Sequence, residues 1–400
     1  MQISSNLPKW NSSTATGAEG SNELSELPPH LRDVYNETLG FEKIFIINLP
    51  SRTDYHDALS IAGATTGLKL SWIDGVRGED VDERVLPPGG KEANLPSGKK
   101  GCWRSHMNAL TKIVEEGVES ALIIEGDADW DVRIKSEMLN FAKASNMLLQ
   151  PLVPASSAAE QDEPQYADAT FLDPENSPDS DEIPFDAPPS TIPPTKSPYG
   201  DNWDLLWLGH CGTQFPTSKS TPETPRGRVV QQNDPTVPEY RHFTYYFEKE
   251  PTIKQGVYGN HTRFYFHTRK NVCTIAYAIS QKGARELLYE LALNKMNDAQ
   301  DIMHRQFCDG DKGRRHHTCL TTIPELFQSH RPAGLMSSFS DIAVKTSDKV
   351  AEKAWTANIR WSARMNMRKM LEGEGGFEDQ YPDADAGKEK EGMGGEDLKL

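Results

Sequence analysis

The sequence contains no apolar run long enough to cross a bilayer, and its opening stretch is polar, without the charged and apolar regions of a signal peptide. The chain as written is therefore expected to be soluble. Cysteine is scarce: Cys102, Cys211, Cys273, Cys308 and Cys319 are too few for a disulfide framework, and their odd number leaves at least one unpaired within the chain. A phosphate-cradling P-loop, a G-x-G-x-x-G and a G-x-S-x-G elbow are all missing, which removes the usual sequence support for nucleotide hydrolysis, a Rossmann cofactor or a serine hydrolase. A basic excess is missing too. The net charge of −16 arises in two segments, residues 151–200 with ten acidic residues against one lysine and residues 372–400 with ten against three lysines, so the remainder is near neutral and carries no footprint for nucleic acid. The sequons at Asn11, Asn36 and Asn260 are about as many as chance supplies and would matter only in a secretory compartment.

What is present reads as an α/β domain. Residues 1–38, rich in Ser, Asn, Glu and Pro, read as a disordered lead-in. "KIFIINL" has strand character, "SRTDYHDALSIAGA" has a Thr/Asp start and a Gly stop, and "LKLSWID" is a second strand, an order that argues for parallel pairing. In "SHMNALTKIVEEG" Met107, Leu110, Ile113 and Val114 share a helical face, with Ser105 as the expected N-cap and Gly117 closing the helix. "SALII" is a buried strand and "DVRIKSEMLNFAKASNMLL" an amphipathic helix. Eleven of the 27 prolines fall within residues 151–200, which read as a structureless insertion. Order resumes with the strands "NWDLLWLG" and "CTIAYAIS", the helix "QKGARELLYELAL", then "NDAQDIMHRQFC", "TCLTTIPELFQSH" and the basic amphipathic "TANIRWSARMNMRKML". Residues 372–400 read as a disordered acidic tail, leaving one domain over residues 39–371.

The stretch "ALIIEGDADWD" concentrates the chemistry. Glu125, Asp127, Asp129 and Asp131 follow a buried strand at every second position with no basic residue among them, and their mutual repulsion calls for a cation. The C-terminal ends of strands in open α/β sheets are where ligands bind. Asp127 and Asp129 form a D-x-D of hard oxygen ligands suited to Mn²⁺ or Mg²⁺ with phosphate oxygens completing the shell; the bland alternative is a solvated acidic turn. An aspartyl phosphatase would want Thr at the place of Asp131, which counts against that rival. The run holding His304, Cys308, His316, His317 and Cys319 does not have zinc-finger spacing and carries Arg314 and Arg315, so surface His and Cys on a loop is the better account.

Taken together, "IFIINLPSRTD", "GCWRSHMNAL", "ALIIEGDADWD", "DLLWLGHCG", "AYAISQKGARELL" and "IPELFQSHRPAGLMSSFSDI" resemble, in order, the blocks of glycosyltransferase family 25 over about residues 41–345. The Pro-rich insertion resembles low-complexity segments of fungal proteins. The resemblance implies a GT-A-like fold with a mixed, mainly parallel sheet flanked by helices. It also implies a UDP-sugar donor, a divalent ion on Asp127 and Asp129, and an inverting transfer of a hexose, galactose first, to a glycan or glycoprotein hydroxyl. Asn48, Leu49, Arg52, Asp74, Gly75, Arg104, His106 and Glu125 would lie near the donor. Inversion needs a base, expected at Asp301 with Asp298 second; a helix-start carboxylate is the plain alternative. Gly126 stands where the family has an acid, which keeps open a non-catalytic sugar-nucleotide or glycan-binding relative. Family members in eukaryotes usually work in the Golgi or endoplasmic reticulum lumen, which would require an anchor this sequence does not display; otherwise a cytoplasmic protein is expected.

Overall fold

The computed structural model describes residues 25–154, 163–178, 180–219, 222–244, 257–334, 341–342 and 350–384. Strand β1 (Lys43–Asn48) shows how the core is organised, because its side chains alternate between two apolar layers: Ile44 and Ile46 join one, Phe45 and Ile47 the other. Helix α1 (Thr53–Thr66) returns the chain to β2 (Leu70–Asp74), which pairs parallel with β1. Helix α2 (Ser97–Glu116) leads to β3 (Ser120–Glu125), parallel to β1 on its other side. A turn at residues 126–127 separates β3 from β4 (Ala128–Trp130), and helix α3 (Ile134–Leu149) follows.

The remaining strands are β5 (Asp181–Pro184), β6 (Leu205–Gly209), β7 (Gly227–Gln231), β8 (Arg263–His267) and β9 (Ala276–Ser280). Helix α4 (Gln281–Tyr289) starts on Ser280, whose hydroxyl accepts the Gly283 N–H, and helix α5 (Gln300–Asp309) precedes β10 (Cys319–Ile323). Strands β11 (Phe327–Arg331) and β12 (Trp355–Thr356) and helix α6 (Met367–Glu372) end the described fold.

The main sheet runs β2-β1-β3-β9-β6-β10-β8-β7-β5, mixed as expected, and β12-β11-β4 form a second, small sheet. Helices α1 and α3 pack on one face through Leu59, Ile134, Met138 and Phe141; α2, α4 and α5 cover the other through Trp103, Met107, Leu287 and Phe307. Among the described residues no helix is long and apolar enough to cross a membrane.

Several expectations require revision. Helix α2 begins at Ser97, so Ser105 is not an N-cap: it lies inside the helix, where its hydroxyl donates to Gly101 O and accepts from Val76 N–H. Gly101 lets the helix pack closely against the loop at residues 76–78, since a Cβ there would come 2.4 Å from Val76 O. Residues 25–38 include buried Leu31 and Val34, and residues 372–384 pack through Phe377 and the Arg360–Asp379 ion pair. The insertion supplies β5 at the sheet edge. Residues 1–24, 155–162 and 385–400, also read from the sequence as disordered, lie outside the described residues. The cysteines form two disulfides, Cys211–Cys273 and Cys308–Cys319, and only Cys102 is free. His304, Cys308, His317 and Cys319 are buried rather than on a surface loop.

A buried ion network ties α3 to the β7–β8 side of the sheet. Arg263, 2% exposed, bonds Asp234 Oδ2 at 2.8 Å, Glu137 Oε1 at 3.1 Å and Pro324 O at 2.7 Å. Burial, then Asp131, push Glu137 up to about 8 against the pull of Arg263. Removing the guanidinium would strand the buried Asp234 carboxylate and leave the Glu137 carboxyl without its partner, so Arg263→Ala should cost about 3–5 kcal/mol, read from urea unfolding; a loss below about 1 kcal/mol would contradict this role.

Candidate active site

The C-terminal ends of the parallel strands β1, β2 and β3 meet the start of antiparallel β9 along one edge of the sheet, with the Glu125 N–H donating to Ile275 O at 2.9 Å. Strand β6 runs antiparallel to β9, so its end, and Cys211 just beyond it, reach the same edge. A cleft of about 730 Å³ opens there. Ligands collect at such an edge because the strands end and their loops diverge.

Of the residues expected near a donor, Asn48, Leu49, Arg52, Gly75, His106 and Glu125 line this cleft, as do Asp127 and Asp301. Asp74, Arg104, Asp129 and Asp298 are not among the lining residues. Asp74 is exposed at the end of β2, Arg104 bonds Asn108 at 2.8 Å, and Asp298 accepts the Ala299 N–H at 2.8 Å.

The four carboxylates of the acidic stretch do not share one surface, because the turn at residues 126–127 breaks the alternation that would have aligned them. Asp129 is fully buried. It accepts N–H bonds from Trp130 at 2.9 Å and Arg364 at 3.1 Å, and hydroxyl bonds from Thr356 at 2.6 Å and from Ser362. Burial pushes its pKa up, but His330 and these donors outweigh it and hold Asp129 below the ordinary carboxylate range. Asp131 is buried and accepts from the Arg133 N–H at 2.9 Å and its guanidinium at 3.1 Å. Asp127 opens to the cleft; burial and Glu125 push its pKa up, while Arg331, Arg364 and Ser329 pull it down.

Glu125 is held from two sides. His106 Nε2 lies 3.2 Å from its Oε1, and the Thr274 hydroxyl lies 2.9 Å from the same oxygen. His106 Nδ1 meets the Tyr277 hydroxyl at 3.1 Å, so the imidazole is fixed at both nitrogens. Arg52 is gripped by Asp54 at 2.7 and 2.9 Å and by Asp341, and its guanidinium lies 3.4 Å from the Tyr55 ring centroid. Asp301 Oδ2 accepts the Cys273 N–H at 2.9 Å, which links it to the disulfide on the cleft wall.

Gly126 has a steric reason here. A Cβ at that position would fall 2.5 Å from Asn48 Oδ1, and Arg364 donates to Gly126 O at 2.8 Å from the other direction. Asn48 donates through Nδ2 to Leu49 O and Arg52 O, but its buried Oδ1 has no partner. An acceptor left unpaired at a cleft wall is suited to a ligand donor, since leaving it dry costs about 1–3 kcal/mol.

Cys102, Lys99, Gln300 and Arg331 also line the cleft and were not singled out from the sequence. Cys102 and His106 had a readable signal, an i, i+4 spacing on one helix face. Arg331 had none, because it is brought in by β11 pairing with β4.

Asp129→Ala should remove about 3 kcal/mol of stability, measured by urea unfolding, by leaving buried donors from residues 356–364 without an acceptor. A variant that unfolds no more easily than the wild type would contradict this role.

Residues 41–214 match the family described as Glycosyltransferase family 25 (LPS biosynthesis protein). Procollagen galactosyltransferase 1 of Danio rerio is 29% identical over 117 residues, covering 26% of this chain and 19% of the relative. Procollagen galactosyltransferase 2 of Mus musculus and of Homo sapiens are each 24% identical over 116 residues, covering 26% of this chain and 19% and 18% of the relatives. The aligned part therefore spans about a fifth of the length of these curated relatives. By these similarities the chain resembles glycosyltransferase family 25 and the procollagen galactosyltransferases over part of its length, the family likeness being carried by residues 41–214.

Proposed function

We propose that this chain transfers a hexose, galactose in the first instance, from a UDP-sugar to a hydroxyl of a glycan or protein-linked acceptor, with inversion at the anomeric carbon. The observation that carries the reading is the cleft at the ends of β1, β2 and β3, where Asn48, Arg52, His106, Glu125 and Asp127 converge within the matched region. Galactose and a protein-linked acceptor are supported by the names of the relatives.

The chemistry divides between two sets of residues. On the donor side, Lys99 and Arg52, the latter shared with Asp54 and Asp341, are the basic groups a diphosphate would meet, and Asn48 shapes the wall beside Gly126. Asp127, a hard oxygen ligand facing the cleft, fits a Mn²⁺ or Mg²⁺ ion, and Asp129 does not because its oxygens are already bonded inside the fold. Such an ion would neutralise charge on the leaving UDP without a proton transfer. Asp301, also lining the cleft, is the base that takes the acceptor proton, its carboxylate oriented by the Cys273 N–H. The two disulfides support work in an oxidising compartment such as the secretory lumen.

A second reading, a binding protein without transfer activity, is favoured only by Gly126. The contact between Gly126 and Asn48 answers it in part, because glycine is needed there to admit the amide.

The test is a UDP-sugar screen with acceptor products read by mass, alongside thermal shifts with UDP. Mn²⁺ should enhance the UDP shift, and the enhancement should fade on acidification at a higher pH than for an ordinary carboxylate, because Asp127 with its raised pKa protonates earlier. Asp127→Asn should slow transfer by about 10²–10³-fold, and Asp301→Asn by about 10²–10⁴-fold with UDP binding retained. UDP binding with no transfer to any acceptor and no UDP release would favour the binding reading, and no UDP response at all would refute both.

A further inference from the structure

We propose that Cys102, His106 and Glu125 form a Zn²⁺ site on the cleft wall, separate from any ion that arrives with a nucleotide. Cys102 and His106 lie one helical turn apart on α2, and Glu125 ends the neighbouring β3. One ligand atom from each lies within 4.8 Å of the other two, and all three residues line the cleft. Zinc bonds of about 2.0–2.3 Å require ligand atoms roughly 3.5 Å apart, a distance that small side-chain rotations supply. Three protein ligands leave a fourth position open to the cleft, the arrangement zinc adopts where it is exchangeable or reactive.

The surrounding hydrogen bonds are those of a prepared site. A metal-bound imidazole usually gives its other N–H to a fixed oxygen, and His106 Nδ1 already has the Tyr277 hydroxyl at 3.1 Å. That leaves Nε2, the nitrogen facing Glu125, for the ion. Glu125 Oε1 is anchored by Thr274, whose hydroxyl also meets Gln300 Oε1 at 2.9 Å, and Gln300 in turn lies 3.9 Å from Cys102 Sγ. On binding, the Cys102 thiol proton passes to solvent and the thiolate bonds the metal, with no change of oxidation state.

The ligand set also decides which ion. A thiolate and an imidazole favour zinc over Mn²⁺ or Mg²⁺, which prefer the carboxylate and phosphate oxygens offered around Asp127. Among the described residues one other trio has metal-like spacing, Glu239, His261 and Asp383, but Arg241 lies 2.6 Å from Glu239 and Arg360 lies 3.1 Å from Asp383. Arginine is already ion-paired into that trio, whereas among the described residues Glu125 ion-pairs with His106 alone.

The experiment is a titration of the metal-free full chain with Co²⁺, without reductant, following the thiolate-to-cobalt absorption band. One equivalent should develop the band, Zn²⁺ should displace it, Cys102→Ser should abolish it, and His106→Gln should weaken Zn²⁺ binding by tenfold or more. In the unmodified protein, where Cys102 is the only cysteine outside a disulfide, Zn²⁺ should protect it from alkylation. No cobalt–thiolate band, unchanged Zn²⁺ affinity in Cys102→Ser, or alkylation unaffected by Zn²⁺ would each overturn the site. No nucleotide enters these measurements, so their failure would leave the transferase reading standing, and failure of UDP binding would leave the zinc site standing.

Discussion

The cleft depends on the burial of one carboxylate. Asp129 is removed from water in the small sheet, and a buried carboxylate persists only if its lone pairs are used. Nearly all of its partners come from late in the chain: the hydroxyls of Thr356 and Ser362, the Arg364 N–H and the nearby His330. Satisfying Asp129 therefore binds residues 356–364 across the turn that ends β3. Once there, Arg364 reaches Gly126 O and brings its guanidinium to within 5.5 Å of the Tyr55 ring centroid. The family match covers residues 41–214, yet the site is completed by a segment well beyond them.

This arrangement answers where the charge of the acidic stretch goes. Asp131 is matched by Arg133, Asp129 by His330 and a set of dipoles, and Asp127 is flanked by Arg331 and Arg364. The protein itself neutralises the half of the stretch that turns inward. Only Glu125 and Asp127 keep access to the cleft, and they differ in kind: Glu125 belongs to a hydrogen-bonded array with His106 and Thr274, while Asp127 sits at the turn between opposing influences. A cation entering this cleft thus meets two chemically distinct settings within a few residues.

Much of the scaffold was legible because its signals are local. The runs at β1, β3 and β9 are apolar over their length, as strands covered on both faces must be, and α3 carries a clear helical stripe. The strand-end location of the acidic stretch was legible for the same reason. What was not legible depends on pairing at a distance. Strand β5 lies in a Pro-rich segment and becomes a strand only through β7; β8 carries Arg263, whose partners Glu137 and Asp234 lie on other elements. The cysteine pairings were equally hidden, since Cys211 and Cys273 are 62 residues apart. Asp127 and Asp129 read as a pair because their spacing matches one strand face, whereas a two-residue turn, invisible to that periodicity, sends them to different environments.

The most direct measurement is anomalous diffraction from crystals of the protein grown with Mn²⁺ and UDP. The predicted result is nucleotide in the cleft at the ends of β1, β2 and β3, with the manganese peak beside the Asp127 carboxylate and Asp129 still bonded to Thr356 and Ser362. A manganese peak coordinated by Asp129, or nucleotide bound away from this cleft, would contradict the account.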